Sequence, residues 1–216
     1  MEDATEDTLA ADRLVSIGKL SGSLGHELNN LLTGILVFAE TLAKGTEGMS
    51  QHEYSMEILT AARRATDLLR GFVQFSQGVA RGRGIAPLVE SLRALLHYRA
   101  HLSAMRYEVD LPAPLPDLEV GTGVELQHLL VNLVLHAIEN GKPGQILRLQ
   151  ITRAPSAVRI QVERQGQGEA VSARAWLPRT RQDLAVADIL AGRLGGRLEV
   201  GEGGVLVATL PVAAEG

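Results

Sequence analysis

Residues 22–35 read GSLGHELNNLLTGI and place a histidine, an acid and two amides in a segment that otherwise has helical apolar spacing. Apolar residues recur every three or four positions over residues 9–43, which predicts one helix of unusual length. On that helix His26 and Asn30, four apart, share a face, and Glu27 and Asn30, three apart, are neighbours. The stretch therefore predicts a long helix that presents an imidazole, a carboxylate and an amide together.

A second long helix is predicted after the glycine-containing break KGTEGM at residues 44–49. Its start is marked by SQHE, a capping box in which the Ser50 hydroxyl and the Glu53 carboxylate satisfy each other's backbone N–H groups. Two amphipathic helices joined by a short turn form a hairpin with an exposed apolar seam. A single hairpin cannot cover that seam by itself. We therefore expect residues 1–77 to form a homodimer as a four-helix bundle.

The rest of the chain predicts a separate domain. The segment GVARGRG, residues 78–84, has three glycines and no periodicity, which is typical of a linker. Beyond it, helices are predicted at residues 85–105, 124–139 and 182–194. Strands are predicted at residues 107–111, 146–153, 157–164, 196–200 and 204–212. Residues 85–216 are thus expected to form an α/β sandwich with helices on one face of a mixed sheet, which makes the whole chain α+β.

Composition removes several classes of function. The chain has no Cys, which excludes disulfides, thiolate nucleophiles and Cys-based metal sites. A net charge of −4, scattered arginines and 3% aromatic residues argue against a nucleic-acid-binding protein. The sequence offers no apolar run of about 18 residues and begins with an acidic segment, so we expect neither a membrane span nor export, and a cytoplasmic location.

The cluster around His26 suits phosphoryl chemistry. A neutral imidazole nitrogen can accept a phosphoryl group, a neighbouring carboxylate can hold the ring's tautomer or take a proton, and an amide can orient a water. Glycines at positions 18, 22 and 25 leave the helix surface low, so that a partner can approach closely. For a lone histidine, the simpler interpretation is an ordinary solvent-facing helix residue.

The surrounding motifs favour the chemical interpretation. The stretch GKLSGSLGHELNNLLTGI, residues 18–35, resembles the H-box of bacterial sensor histidine kinases. The stretch ATDLLRGFVQFSQ is similar to the end of that family's dimerisation and phosphoacceptor domain. Further on, ELQHLLVNLVLHAIENG resembles the family's N-box and VRIQVERQGQG its first glycine box, while LAVADILAGRLGGRLEV and GGVLVATLPV resemble the closing helix and strands of the ATP-binding domain. The resemblance covers nearly the whole chain and implies that His26 is the phosphoacceptor.

The residues that hold nucleotide in that family are altered. The N-box keeps Asn132 but has His136 where a second Asn would hold Mg²⁺, and imidazole is a poor ligand for this hard ion. The first glycine box keeps Gly166 and Gly168, but Arg164 replaces the Asp that would accept from the adenine amino group.

The second glycine box and the lid are also altered. Arg181 and Asp183 stand where its glycines belong, and Asp183 would repel a phosphate. Between the two boxes lies only EAVSARAWLPRT, residues 169–180, which is too short for the lid that closes over ATP. We therefore expect a degenerate ATP-binding domain with no nucleotide cofactor. A transition metal at His136 is a minor alternative, since no second ligand stands at a suitable spacing.

A chain that keeps the phosphoacceptor chemistry and loses the ATP chemistry resembles the dimeric histidine phosphotransferases of bacterial phosphorelays. We expect His26 to carry a phosphoryl group between receiver-domain aspartates, while the receiver supplies Mg²⁺ and a lysine. Glu27 would orient or deprotonate the imidazole, and Asn30 would line the contact or position a water. The expected partners are response-regulator receiver domains and a hybrid histidine kinase.

Two alternatives stay open. One is a catalytically silent pseudokinase that regulates a kinase or a response regulator by binding. The other is an active histidine kinase with an atypical ATP site, for which Glu27 is the expected base. An unrelated helical scaffold would require the motif matches in both domains to be accidental.

Overall fold

The computed structural model describes residues 2–44, 50–78, 84–111, 115, 121–166, 184–201 and 205–212, with only the backbone of residues 2–4, 23 and 43. The helices are α1 (Glu2–Lys44), α2 (Gln51–Gln77), α3 (Ile85–Leu102), α4 (Gly123–Glu139) and α5 (Ala185–Arg193). The strands are β1 (Arg106–Asp110), β2 (Ile146–Ala154), β3 (Ala157–Gln165), β4 (Arg197–Val200) and β5 (Leu206–Pro211). A helical region followed by a mixed sheet confirms the predicted α+β class.

Helices α1 and α2 pack against each other as the predicted hairpin. The capping box at the start of α2 is confirmed, because the Ser50 N–H donates to Glu53 Oε2 over 2.6 Å and the Glu53 N–H donates to Ser50 Oγ over 3.3 Å. Helix α2 ends at Gly78, whose φ of 66° gives the left-handed cap that glycine favours. Most of the predicted linker, residues 79–83, lies outside the described residues.

Helix α1 begins seven residues before the predicted start. Its first turns contact the second domain, where Arg193 of α5 pairs with Glu6 and Leu9 is buried. These tertiary contacts supply stabilisation that the local apolar pattern does not reveal. The first half of α1 therefore belongs as much to the second domain as to the hairpin.

The second domain is a five-stranded sheet in the order β1-β2-β3-β5-β4. Strands β1 and β2 are parallel, whereas β2 with β3, β3 with β5, and β4 with β5 are antiparallel, as the two predicted strand pairs require. Alternate residues of β3, which are Val158, Ile160 and Val162, are buried. One face of the sheet therefore packs on the helices.

Helix α4 lies at the centre of the domain. Nearly every residue from Leu126 to Ile138 is buried, because α4 contacts β2 and β3 as well as α1, α3 and α5. A helix covered on several sides can place polar side chains only against partners that satisfy them. Among the described helices, none combines the length and the apolar character that crossing a lipid bilayer requires.

Candidate functional site

His26 lies near the middle of α1 and is exposed to solvent, as is Asn30 one turn later. Within the described residues, His26 makes no hydrogen bond, ion pair or ring contact. A Cβ atom added at Gly18, Gly22 or Gly25 would meet no atom within 4 Å, so the helix surface around His26 is open. The imidazole is thus accessible from outside the molecule.

Glu27, the acid next to His26, is half-buried and turns toward the second domain. Its side chain and that of Tyr98 on α3 line the same cavity. Tyr98 is 7% exposed; burial raises the pKa of its hydroxyl, and the nearby charge of Glu27 raises it further. Glu27 therefore lies beside α3.

A second contact between the domains centres on Asp12 of α1. The Asp12 Oδ2 atom accepts from Asn132 Nδ2 at 2.6 Å and lies 2.9 Å from His128 Nε2. A carboxylate only accepts, so His128 donates through this nitrogen. Two side chains one turn apart on α4 thus share one carboxylate of α1.

An ion pair continues this contact along α1. Lys19 Nζ lies 2.6 Å from Glu139 Oε1, at the last residue of α4. Asp12, Lys19 and His26 are spaced by seven residues and therefore lie close to one face of the helix. Since α4 ends beside Lys19, His26 stands about 10 Å further along α1, beyond the reach of that helix.

The same region includes a packed aromatic ring. Phe75 of α2 is 1% exposed and contacts the His128 ring edge-on, with 6.4 Å between ring centroids. Arg13 Nη2 donates to the Phe75 carbonyl at 2.6 Å, and its guanidinium lies 5.8 Å from the Phe75 ring centroid. We call Asp12, Arg13, Phe75, His128 and Asn132 the interhelical joint, because together they tie α1, α2 and α4.

The structure places four of the predicted nucleotide-site residues. Asn132 is half-buried in the interhelical joint, and His136 is buried one turn further along α4. Arg164 is 8% exposed near the end of β3, and burial lowers the pKa of its guanidinium to about 10. Gly166 follows β3 and is exposed.

The remaining predicted positions, Gly168, Arg181 and Asp183, lie outside the described residues, as does the short segment at 169–180.

Three of these residues, Asn132, His136 and Arg164, are poor partners for Mg²⁺ and ATP. Asn132 is bound to the negatively charged Asp12, which disfavours a polyphosphate beside it. His136 offers nitrogen where Mg²⁺ prefers oxygen, and the buried Arg164 offers no acceptor for an adenine amino group. No group of three or more His, Asp or Glu side chains in the described ranges could hold a metal ion.

A cavity of about 820 Å³ opens between α2 and α3. It is lined by Glu27 and Tyr98 and by basic side chains that include Arg64, His97 and His101. None of the four described nucleotide-site residues lines it. The cavity therefore brings Glu27 of α1 close to side chains of α2 and α3.

Sequence reasoning missed Asp12, His128 and Tyr98. One signal was available, because His128 and Asn132 are four residues apart on a predicted helix and so share a face. A second was the seven-residue spacing of Asp12, Lys19 and His26. Nothing local marked Tyr98, whose role depends on how α3 packs against α1.

A helical hairpin that exposes His26, joined to a mixed α/β sheet, is the arrangement that the sequence resemblance predicts. Residues 16–80 match the His Kinase A (phospho-acceptor) domain. Residues 16–80 are therefore similar to a phosphoacceptor domain, and the chain shares the fold of a solved histidine kinase.

Known proteins with similar sequences include sensor proteins. The C4-dicarboxylate transport sensor protein DctS of Rhodobacter capsulatus is 27% identical over 242 residues, which cover 99% of this chain and 36% of that protein. The sensor protein FixL of Bradyrhizobium diazoefficiens is 25% identical over 182 residues, covering 78% of this chain and 35% of that protein. The chain thus spans about a third of the length of these relatives.

A crystal structure of a histidine kinase from Burkholderia phymatum gives a TM-score of 0.50. The match covers 88% of this chain and 98% of that one, with 16% sequence identity. Similarity at this level shows the shared fold.

Proposed function

We propose that this chain is a histidine phosphotransferase of a two-component phosphorelay, which moves a phosphoryl group between receiver-domain aspartates through His26 without ATP. One observation carries the proposal: Asn132, from the nucleotide-binding motif, is bound to Asp12 in the interhelical joint, while His26 stays exposed. The chain thus keeps an accessible phosphoacceptor and uses a former nucleotide residue for packing.

In the proposed reaction, a neutral nitrogen of His26 attacks the phosphorus of a receiver's aspartyl phosphate. The new P–N bond forms as the P–O bond to the aspartate breaks, and its electron pair leaves on the receiver carboxylate. The ring is then positively charged, and Glu27 takes the proton from its other nitrogen. Asn30, exposed one turn away, lines the contact with the receiver.

The proposed partners follow from this reaction. A receiver domain supplies the Mg²⁺ and the lysine that stabilise the charge of the transferred group, so this chain needs no metal of its own. A second copy of the chain covers the apolar side of the hairpin, and a hybrid histidine kinase is a further candidate donor. The low surface at Gly18, Gly22 and Gly25 leaves room for a receiver beside His26.

The first test offers phosphorylated receiver domains to the full chain and follows acid-labile phosphohistidine. We expect the wild type to take up the phosphoryl group and the His26→Ala variant to lose this activity completely. His52→Ala is the matched control, since His52 is also an exposed histidine of the hairpin, and we expect it to transfer at the wild-type rate.

Calorimetric titration with Mg·ATP separates the alternatives. We expect no binding. Micromolar binding together with label from ATP on His26 would instead identify an active kinase with an atypical site. If the wild type binds receivers without accepting phosphoryl groups, and His26→Ala binds equally well, the chain is a silent pseudokinase that acts by occupancy.

A further inference from the structure

The cavity between α2 and α3 has a volume of about 820 Å³. This volume lies within the range of about 300–1,000 Å³ that is typical of sites for small organic molecules. The lining includes basic side chains from both helices, which are Arg64 and Arg70 of α2 and Arg93, His97 and His101 of α3. Basic groups therefore reach the same space from the hairpin and from the second domain.

Two of the arginines in this lining are already paired with acids. Arg70 lies 3.7 Å from Asp67 on α2, and Arg93 lies 3.0 Å from Glu90 on α3. Each pair joins residues three positions apart on one helix, so the positive and negative charges offset each other locally. These four side chains therefore add little net charge to the cavity.

The other three basic side chains remain available to a ligand. Arg64, His97 and His101 are exposed and make no hydrogen bond or ion pair with the described residues. His97 and His101 are four residues apart and so share a face of α3. A guanidinium carries five N–H donors, and an imidazole donates from at least one ring nitrogen whether it is charged or neutral. The cavity thus offers several donors from two helices.

Tyr98 and Glu27 also line this space. Burial raises the pKa of the Tyr98 hydroxyl, and the nearby charge of Glu27 raises it further, so the hydroxyl keeps its proton at neutral pH and is a further donor. Glu27 only accepts, and its charge opposes an anion beside it. An anion is therefore expected at Arg64 and the two histidines.

We propose that this cavity binds the phosphate group of a small molecule, with Arg64 donating from α2 and His97 and His101 donating from α3. A phosphate group carries up to two negative charges and three acceptor oxygens, so it can accept from donors on two helices at once. A carboxylate carries one charge on two oxygens in one plane. The inference does not depend on the proposed phosphotransfer, because His26 does not line the cavity.

Calorimetric titration of the full chain at pH 7 with glucose 6-phosphate and with inorganic phosphate tests the proposal. We expect saturable binding of at least one of them. Tighter binding of glucose 6-phosphate indicates a phosphomonoester site, and equal affinities indicate a site for free phosphate. Glucose, which lacks the phosphate, and malonate, a carboxylate dianion, should bind at least about tenfold more weakly. No saturable binding of either phosphate compound, or equally tight binding of malonate, would overturn the proposal.

The substitution Arg64→Gln tests the donor on α2. We expect it to raise the Kd of the better phosphate compound about tenfold, because a charge-assisted hydrogen bond is lost. Arg63→Gln is the matched control, since Arg63 is the preceding exposed arginine of α2 and does not line the cavity. An unchanged Kd for Arg64→Gln, or an equal rise for Arg63→Gln, contradicts the assigned site.

The double variant His97→Gln/His101→Gln tests the donors on α3. We expect the Kd to rise about tenfold here as well, whereas His52→Gln, at an exposed histidine of the hairpin outside the cavity, keeps the wild-type Kd. All of these side chains are exposed, so the Tm of each ligand-free variant should equal that of the wild type. Wild-type affinity in the double variant would overturn the role of α3.

Discussion

Asp12 illustrates how one carboxylate can join two domains. Burial raises its pKa, but the hydrogen bonds from His128 and Asn132, together with the positive charges of His128 and Lys19, outweigh burial and leave the pKa below its usual value of 3.8. A lowered pKa means that the folded protein stabilises the charged form. The contact therefore stabilises the folded state wherever Asp12 is ionised.

The substitution Asp12→Asn keeps the size of the side chain and removes its charge. We expect the free energy of unfolding at pH 7 to fall by about 1.5–3 kcal/mol, the range for a hydrogen bond that involves a charged group. The stabilisation is present above pH 3.8 and is lost as the pH falls through the lower pKa of the folded state. Urea unfolding of both proteins at pH 7 and at pH 3 measures the difference, which should narrow in acid.

Asp67→Asn is the control at this scale. Asp67 pairs with Arg70 at 3.7 Å on the surface of α2, where both side chains are well exposed. An exposed ion pair of this kind contributes little to stability, so we expect no measurable change. Equal losses in the free energy of unfolding for Asp12→Asn and Asp67→Asn would contradict a stabilising role of the interhelical joint.

Gly71 decides how closely two elements pack. A Cβ atom built at this position on α2 would lie 2.5 Å from the backbone carbonyl oxygen of Ser91 on α3. Backbone cannot move aside as a flexible side chain can. Only glycine therefore allows the hairpin to approach the first helix of the second domain at this distance.

The substitution Gly71→Ala should separate α2 from α3. We expect a loss of about 1–3 kcal/mol in the free energy of unfolding, as for other overpacked sites. The comparison variant is Gly34→Ala on α1, where a Cβ meets nothing within 4 Å. There alanine should stabilise the helix by about 0.5–1 kcal/mol, and a loss of the same size at both positions would contradict this account.

At the scale of elements, the sequence predicts most of the structure. The capping box at Ser50 and the alternation in residues 146–153 and 157–164 are local signals, and the structure bears them out. The early start of α1 was not predictable, because the pairing of Glu6 with Arg193 involves the other end of the chain. Local sequence patterns predict the secondary structure of a segment, but they do not predict its contacts with residues distant in the sequence.

The whole molecule has an uneven apolar surface. Of the exposed large hydrophobic side chains in the described ranges, most lie on the hairpin: Leu14, Val15, Leu32, Leu36, Val37, Met56, Leu59, Leu69 and Val73. Outside it, the described residues expose only Leu102 and Val200 to this degree. A concentration of exposed apolar side chains on one pair of helices is typical of a protein interface.

We expect the wild-type chain to be a dimer through this surface. Leu36, which is 61% exposed, is a suitable probe, because a charge there costs the single chain little and is unfavourable in an apolar interface. The substitution Leu36→Glu should convert the dimer to a monomer in sedimentation velocity. Leu102→Glu, at a leucine of α3 that is 47% exposed, should leave the dimer intact. A wild-type monomer, or a dimer that survives Leu36→Glu, would contradict the expected bundle.

The sequence by itself determined the long helices, the sheet strands and the motif that places His26, Glu27 and Asn30 within two turns, because periodicity and spacing along a helix are local properties. It also showed His136 and Arg164 at positions where the motifs that it resembles have Asn and Asp. Only the tertiary structure decided that Asp12 binds Asn132 and that Arg13 binds the Phe75 carbonyl. Both contacts join residues far apart in the chain, and such pairs are set by how whole helices pack rather than by any local pattern.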